Sequence, residues 1–307
     1  MAVSQPMAVG YLDARSSTVD DRVRRTVALL RRRGYAVSPA RLGQLCLAGA
    51  ISESEARWIV AADPELTIAG GLVVDRDALD QVGAISERAG SHRNDSPAYV
   101  RMTVRFVRML VAVAPFIRHV SIAGSLASGG FRASDDVDLN LIVDDGHRHL
   151  AYVAVNLLGV LHAMRHRSKP VDDLTRRPVA PRLMTANLIL ERSQCLPLER
   201  QDEDMAFELL VSEPVFGMDA LHELVAANQP LLHHFPQLAA KQQRLKVDVH
   251  RHAPSFLYPS LLDRPAEWMG RAAWRYMQWT RRNRPGALAR VAFVRATMRP
   301  YTLFDES

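Results

Sequence analysis

The feature of this sequence that most constrains its fold is one stretch, residues 121–143, which reads SIAGSLASGGFRASDDVDLNLIV. Small residues come first, acidic residues follow, and an apolar run ends the stretch. Because side chains alternate across a β-strand, Asp136 and Asp138 are predicted to point to the same side, about 7 Å apart. Val137 and Leu139 are then expected to face a hydrophobic core on the other side.

The composition of this stretch favours a bound phosphate and a metal ion. Two converging carboxylates offer the hard oxygen ligands that Mg²⁺ prefers, and substrate phosphates and water complete such a site. Gly124 and Ser125 let backbone N–H groups approach phosphate oxygens, and the Ser125 hydroxyl is a further donor. Arg132 is a candidate for binding a terminal phosphate, with a solvated loop arginine as the alternative. Turn capping, the other explanation for the acidic residues, accounts well for one of them, and we assign it to Asp135.

The part before this stretch, residues 19–95, has the pattern of three helices followed by a hairpin. Ser38-Pro39 is typical of a helix start, and Ser52 with Glu55 forms a capping-box pattern. The hairpin is predicted within LTIAGGLVVD, around its paired glycines. This order is typical of a winged-helix module, which either binds duplex DNA or serves as a packing or protein-contact domain. DNA binding is disfavoured, because the second helix has one cation and the basic charge lies on the first helix.

The central part of the chain is predicted to be a mixed α/β domain over residues 96–200. The polar stretch SERAGSHRNDSP (86–97) is interpreted as a linker whose Ser-Pro end starts a new helix. The elements predicted after it are a helix to Ala114, strands over 118–122 and 137–143, a helix from His147 to about His166, and a strand over 183–191. A strand-turn-strand-helix-strand order is typical of this fold class.

The remaining residues, 201–307, are predicted to form a helical domain, which includes DMAFELLVSEPVFG and MDALHELVAANQPLLHHF as helices. Near its end, Trp268, Ala272, Arg275 and Trp279 recur at helical spacing. We interpret the tryptophans as core residues. The alternative is an aromatic and arginine-rich face that stacks nucleic-acid bases.

Composition and termini limit the class of protein. The net charge of +6 favours phosphate-bearing or polyanionic partners, although an arginine-rich chain is also what a GC-rich genome encodes. Cys46 and Cys195 are predicted to be free core thiols in a reducing compartment. Residues 1–18 are predicted to be a flexible tail without a signal-peptide pattern, and no apolar run reaches about 18 residues, so a cytoplasmic protein without membrane contact is expected. The histidine pairs at 147/149, 233/234 and 250/252 are predicted to lie at the surface.

The motif in the opening stretch resembles the signature of the DNA polymerase beta-type nucleotidyltransferase superfamily: Gly-Ser, a short spacer, then Asp-x-Asp on a strand. The resemblance covers about residues 97–200, and the downstream residues are similar to bacterial nucleotidyltransferase-domain proteins. It implies that Gly124 and Ser125 hold a nucleoside triphosphate. It also implies that Asp136 and Asp138 are catalytic and bind two Mg²⁺ ions.

The sequence departs from this superfamily at one position. Members often use a third carboxylate from a later strand, but the strand over 183–191 has Asn187 near its centre and Glu191 only at its end. Asp172 and Asp173 lie in the preceding loop. The general base is therefore left open among these four positions.

These observations predict an α/β fold in which a winged-helix-like module, a nucleotidyltransferase-type mixed sheet with helices, and a helical domain follow one another. The expected reaction moves a nucleoside monophosphate from a triphosphate to an acceptor and releases pyrophosphate. The acceptor is a small molecule or, as the alternative that the basic C-terminal region keeps open, an RNA end. The second hypothesis is a winged-helix DNA-binding regulator whose central domain is a catalytically weak nucleotide sensor.

Overall fold

The computed structural model describes residues 18–165 and 183–304 of the chain. Its first elements, here called the N-terminal module, are α1 (Val19–Arg32), α2 (Pro39–Gln44), α3 (Glu53–Ala62), β1 (Leu66–Ala69) and β2 (Leu72–Asp75). The side chains of Thr18, Ser38 and Ser52 accept hydrogen bonds from first-turn N–H groups of the three helices. β1 and β2 pair as an antiparallel hairpin. The predicted helices and hairpin are therefore confirmed, while the predicted tail lies outside the described residues except for Thr18.

The predicted linker over residues 86–97 is wrong, because a single helix, α4 (Val82–Val113), runs through it. Pro97 lies inside this helix and leaves one backbone carbonyl without its helical hydrogen bond. The first half of α4 also contacts the rest of the chain. For example, the Phe131 N–H donates to His92 Nδ1 at 3.3 Å. The predicted boundary between residues 95 and 96 consequently falls within a continuous helix.

A mixed sheet of four strands forms the centre of the molecule. Its elements are β3 (Ile117–Ala123), the short helix α5 (Gly124–Ser128), β4 (Val137–Val143), α6 (Arg148–Ala163), β5 (Met184–Glu191) and, later in the chain, β6 (Glu213–Phe216). The strand order is β5-β4-β3-β6. β3 pairs antiparallel with β4 and β6, whereas β4 and β5 are parallel. The predicted strands and the mixed α/β class are thus confirmed.

The fourth strand corrects the prediction that the chain after residue 201 is helical throughout. α7 (Glu203–Val211) has the predicted conformation, but it is followed at once by β6. β6 contains Pro214, which cannot donate a hydrogen bond to a neighbouring strand. Because β6 lies at the edge of the sheet and pairs only with β3, this missing donor is tolerated.

The last part of the chain is helical, with α8 (Met218–Ala227), α9 (Gln229–His234), α10 (Asp263–Arg281) and α11 (Pro285–Met298). The stretch predicted as one helix divides between α8 and α9 at Asn228, whose buried side chain bonds the backbone of Cys195 and Leu198. On α10, Trp268 is 74% exposed and Trp279 is 58% exposed. Their interpretation as core residues is therefore wrong.

Two hydrophobic cores pack against the sheet. One contains residues of α4, α6, β3 and β4. The other joins the N-terminal module to β5 and α7–α9, with Leu29, Leu188, Phe207 and Phe235 among its buried members. The three predicted domains therefore share packing, and the N-terminal module is not separate from the helices that follow the sheet.

Several smaller predictions are also decided by the structure. Cys46 and Cys195 are buried free thiols, as expected. His234 is only 7% exposed, so its predicted surface location is wrong. Among the described helices, none combines the length and apolarity needed to cross a membrane.

Candidate active site at Gly124 and Asp138

Gly124 begins α5 where β3 ends, and it lies directly against Asp138 on β4. The register of the two strands pairs Ala123 with Asp138, which brings the turn after β3 onto this carboxylate. Gly124 has a φ of +61°, a conformation that favours glycine. A Cβ atom at this position would lie 2.2 Å from Asp138 Oδ2. The close approach therefore requires glycine at position 124.

The Asp138 carboxylate and the turn beside it are each held by a hydroxyl group. Thr185, opposite Asp138 on β5, donates from Oγ1 to Asp138 Oδ1 at 2.8 Å. Ser128 donates from Oγ to the Gly124 carbonyl oxygen at 2.6 Å. One carboxylate oxygen of Asp138 is thus oriented by Thr185, while the other faces the glycine turn.

A cavity of about 400 Å³ lies beside this pair of residues. Residues from the N-terminal module, the sheet and four helices line it, and its polar and charged members are Arg32, Arg33, Tyr35, Arg88, Ser128, Asp138, Asn187, Asp204 and Glu208. Gly124 lines it as well. This volume is within the usual range for sites that bind small molecules, roughly 300–1,000 Å³.

The structure brings only part of the predicted site to the cavity. Gly124, Asp138 and Asn187 line it, whereas Ser125, Asp136 and Arg132 are not among its lining residues. Ser125 is buried, and Asp136 is half-buried one residue before β4 begins. Val137 and Leu139 are fully buried, so the predicted alternation of core and site positions is confirmed on the core side.

The other candidate site residues that the structure describes make hydrogen bonds elsewhere in the fold. The Arg132 N–H donates to Asp135 Oδ2 at 3.1 Å, which agrees with the turn role assigned to Asp135. Glu191 Oε1 accepts a hydrogen bond from the Gly146 N–H at 2.7 Å, so this carboxylate supports the turn before α6. Asp172 and Asp173 lie outside the described residues.

A carboxylate that the sequence reasoning missed, Glu208 on α7, lines the cavity and is 8% exposed. Its Oε1 accepts hydrogen bonds from Asn140 Nδ2 at 2.9 Å and from Asn187 Nδ2 at 3.3 Å. Asn187 Nδ2 is also 3.0 Å from Asn140 Oδ1. Asn187 lies at the strand position where a third acid would be expected. It contacts instead a carboxylate of α7, that of Glu208.

The N-terminal module forms one wall of the cavity and is fixed to α7 by ion pairs. Arg33 lies 3.1 Å from Asp204, and Arg32 lies 3.5 Å from the same carboxylate. Tyr35 also lines this wall. Burial raises the pKa of its phenol, and the neighbouring Ser128 hydroxyl and Arg88 guanidinium oppose that shift. The cavity thus has walls from parts of the chain that were predicted to be separate domains.

Of the two carboxylates predicted to bind a cation, the structure places Asp138 at the cavity, whereas Asp136 is not among the lining residues. Carboxylate oxygens are the ligands that Mg²⁺ prefers. Within residues 18–165 and 183–304, no group of three or more His, Cys, Asp or Glu side chains is arranged to hold a metal ion. A cation at this position would therefore need ligands beyond the two aspartates, such as phosphate oxygens and water.

The chain was compared with protein families, with curated proteins and with solved structures, and none of these comparisons found a match.

Proposed function

We propose that this chain is a cytoplasmic, Mg²⁺-dependent nucleotidyltransferase that moves a nucleoside monophosphate from a triphosphate to a small-molecule acceptor and releases pyrophosphate. In this proposal the central sheet is of the nucleotidyltransferase type, and the N-terminal module is winged-helix-like. The observation that carries the proposal is the glycine turn at Gly124, which approaches the Asp138 carboxylate at the edge of a cavity of small-molecule size.

The residues of the site divide the work of binding and transfer. Backbone N–H groups of the turn at Gly124 and Ser125 bind phosphate oxygens, since a turn without bulky side chains lets them approach closely. Asp136 and Asp138 hold the cation through their carboxylate oxygens. A Mg²⁺ ion held there would supply positive charge that stabilises the attacking and leaving oxygens. Thr185 keeps Asp138 oriented through its hydrogen bond to Oδ1.

Glu208 is the residue of the cavity best suited to accept the proton of the acceptor group. Transfer requires an acceptor hydroxyl or amine that is oriented and loses its proton as it attacks phosphorus. Glu208 is a buried carboxylate at the cavity wall, and the amides of Asn140 and Asn187 fix its Oε1. We assign it the role of general base.

A small acceptor is favoured because the cavity has the volume of a small-molecule site. The arginines of α1, in turn, are paired within the protein. Carboxylates pair with Arg24, Arg25, Arg31 and Arg32, and Arg22 donates to backbone carbonyls. Nucleic-acid binding depends on cations that are available to phosphates. The same pairs weaken the alternative of a DNA-binding regulator, and α3 adds Glu53 and Glu55 to the surface that would enter a groove.

Calorimetric titration of the protein with ATP and the other nucleoside triphosphates, with and without Mg²⁺, tests this proposal. At least one triphosphate should bind more tightly when Mg²⁺ is present, and Asp138→Asn should remove that difference. Binding that is equal in the wild type and in Asp138→Asn, with or without the metal, would rule the proposal out.

A further inference from the structure

Three arginines line the cavity, and each of them pairs with a carboxylate of the protein. Arg32 and Arg33 both pair with Asp204, and Arg33 also donates to the carbonyl oxygens of Leu29 and Asp204. Arg88, on the first half of α4, pairs instead with Asp135 and lies at the turn that follows α5. It is therefore the cavity arginine that contacts the C-terminal end of α5, the short helix that begins at the proposed phosphate-binding turn.

The position of Arg88 is set by three groups around it. Its Nε donates to the Gly130 carbonyl oxygen, and its Nη2 donates to Asp135 Oδ2 at 3.3 Å. Its guanidinium carbon lies 5.6 Å from the centre of the Tyr35 ring. Gly130 allows this packing, because a Cβ atom there would lie 2.4 Å from the Tyr35 ring. The Arg88 side chain is 23% exposed.

These contacts leave part of the guanidinium group for a ligand. The hydrogen bonds of Arg88 to described residues use Nε and Nη2, and none of them uses Nη1. Arginine binds phosphate oxygens through several donors in a fixed plane, and an arginine already held by the protein loses less side-chain freedom when it does so. Arg88 is thus held at the cavity while its Nη1 group remains available to donate to a ligand.

We propose that Arg88 binds the β- or γ-phosphate of the nucleoside triphosphate, in the role that sequence reasoning gave to Arg132. This inference rests on the proposed function. Gly124, Ser128 and Asp138 line the same cavity as Arg88, so a triphosphate held at the glycine turn would share that cavity with the guanidinium group. Asp135 and Gly130 position Arg88, and Tyr35 packs against it from the N-terminal module. The module is then a component of the active site through this contact.

The test is calorimetric titration of the full-length protein in the presence of Mg²⁺ with the triphosphate that the wild type binds and with the matching monophosphate, which are ATP and AMP for an adenine nucleotide. Arg88→Gln should lower the affinity for ATP about tenfold or more, since a hydrogen bond to a charged group is lost. It should leave the affinity for AMP nearly unchanged, because AMP has neither a β- nor a γ-phosphate. Arg105→Gln, an exposed arginine farther along α4, is the matched control and should bind both nucleotides as the wild type does.

Each other outcome has a defined meaning. Equal ATP affinity in Arg88→Gln and the wild type would overturn this inference and leave the proposed function standing, and so would equal losses for ATP and AMP. A wild-type protein that binds no triphosphate would remove the proposed function and this inference together. If Arg88→Gln does not fold, Arg88→Lys is the second variant, because it keeps the positive charge but lacks the planar guanidinium group. It should show a lower ratio of ATP to AMP affinity than the wild type, and an unchanged ratio would overturn the inference.

Discussion

Asp138 Oδ2 occupies the space that a side chain at Gly124 would need, since a Cβ atom on Gly124 would lie only 2.2 Å from it. Gly124 is the residue after β3 and Asp138 is on β4, so this contact joins the turn to the strand that carries the acidic residue. The positions of the Gly124 backbone and of the Asp138 carboxylate consequently depend on each other. Changes at either residue are expected to disturb both phosphate binding and cation binding.

Gly124→Ala should abolish nucleotide transfer and destabilise the fold by about 1–3 kcal/mol, because the new methyl group meets Asp138 in a conformation with positive φ. Gly129→Ala is the matched control. Gly129 also has a positive φ, of 102°, but a Cβ atom there meets nothing within 4 Å. The control should lose stability and keep transfer activity. Thermal denaturation and a transfer assay on both variants measure this, and an active Gly124→Ala enzyme would contradict the assignment.

Glu208→Gln should slow transfer by about 10²–10⁴-fold with little change in triphosphate affinity, because the amide cannot accept the proton of the acceptor. Its shape and its Oε1 acceptor are retained, so the bonds from Asn140 and Asn187 can persist. Glu208→Ala should in addition destabilise the protein by about 1–3 kcal/mol, since the buried Asn140 amide loses the acceptor of its Nδ2. Single-turnover kinetics and calorimetry separate the two effects. A Glu208→Gln enzyme with unchanged transfer rate would remove Glu208 from the role of base.

The stability of the fold should fall as the pH is lowered from about 7.5 to about 5, with His119 contributing about 2 kcal/mol of the loss. Burial lowers the pKa of His119 to about 4, from an ordinary value of 6.5. His119 is therefore protonated below pH 6.5 in the unfolded chain, but only below about pH 4 in the folded chain. Its stabilising contribution is full above pH 6.5 and is lost as the pH falls toward 4.

Denaturant titrations of the wild type and His119→Gln at several pH values measure this contribution. The variant should lose less stability than the wild type over the same range, because its side chain does not titrate. Parallel pH profiles for the two proteins would show that His119 is not responsible.

Residues 1–95 expressed alone should not unfold cooperatively. The core of the N-terminal module continues into β5 and α7–α9, and Arg33 pairs with Asp204 of α7. Circular dichroism with thermal denaturation is the measurement. A cooperative transition, together with nanomolar sequence-selective binding to duplex DNA, would favour the DNA-binding regulator instead.

The elements that local sequence determines were predictable. Ser38 and Ser52 cap helices through bonds to residues three positions away, and the paired glycines of the hairpin supply its turn. The Asp-x-Asp motif located the strand β4, because alternation of acidic and apolar residues is a property of a strand alone. The elements β3, α5 and β4 were therefore accessible from the sequence, although of their predicted site residues only Gly124 and Asp138 line the cavity.

The features that depend on distant contacts were not predictable. Arg88 lies in a polar stretch that reads as a linker, and its role follows from contacts with Gly130 and Asp135 more than 40 residues away. Glu208 reads as one more acid on an amphipathic helix, and only the packing of α7 beside β5 brings it to Asn187. The exposed Trp268 has the helical spacing of a core residue, which periodicity alone cannot distinguish from an outward face.

The measurement that tests the central claim most directly follows two labels of the triphosphate. The protein is incubated with Mg²⁺, cell extract and each nucleoside triphosphate, labelled at the α-phosphate or at the γ-phosphate. The proposal predicts that one α-label is transferred to a small acceptor while the γ-label is released as pyrophosphate, and that the variant with Asp136→Ala and Asp138→Ala does neither while it remains folded. Transfer that persists in the double variant, or a γ-label that appears on the acceptor, would contradict the assignment of this site.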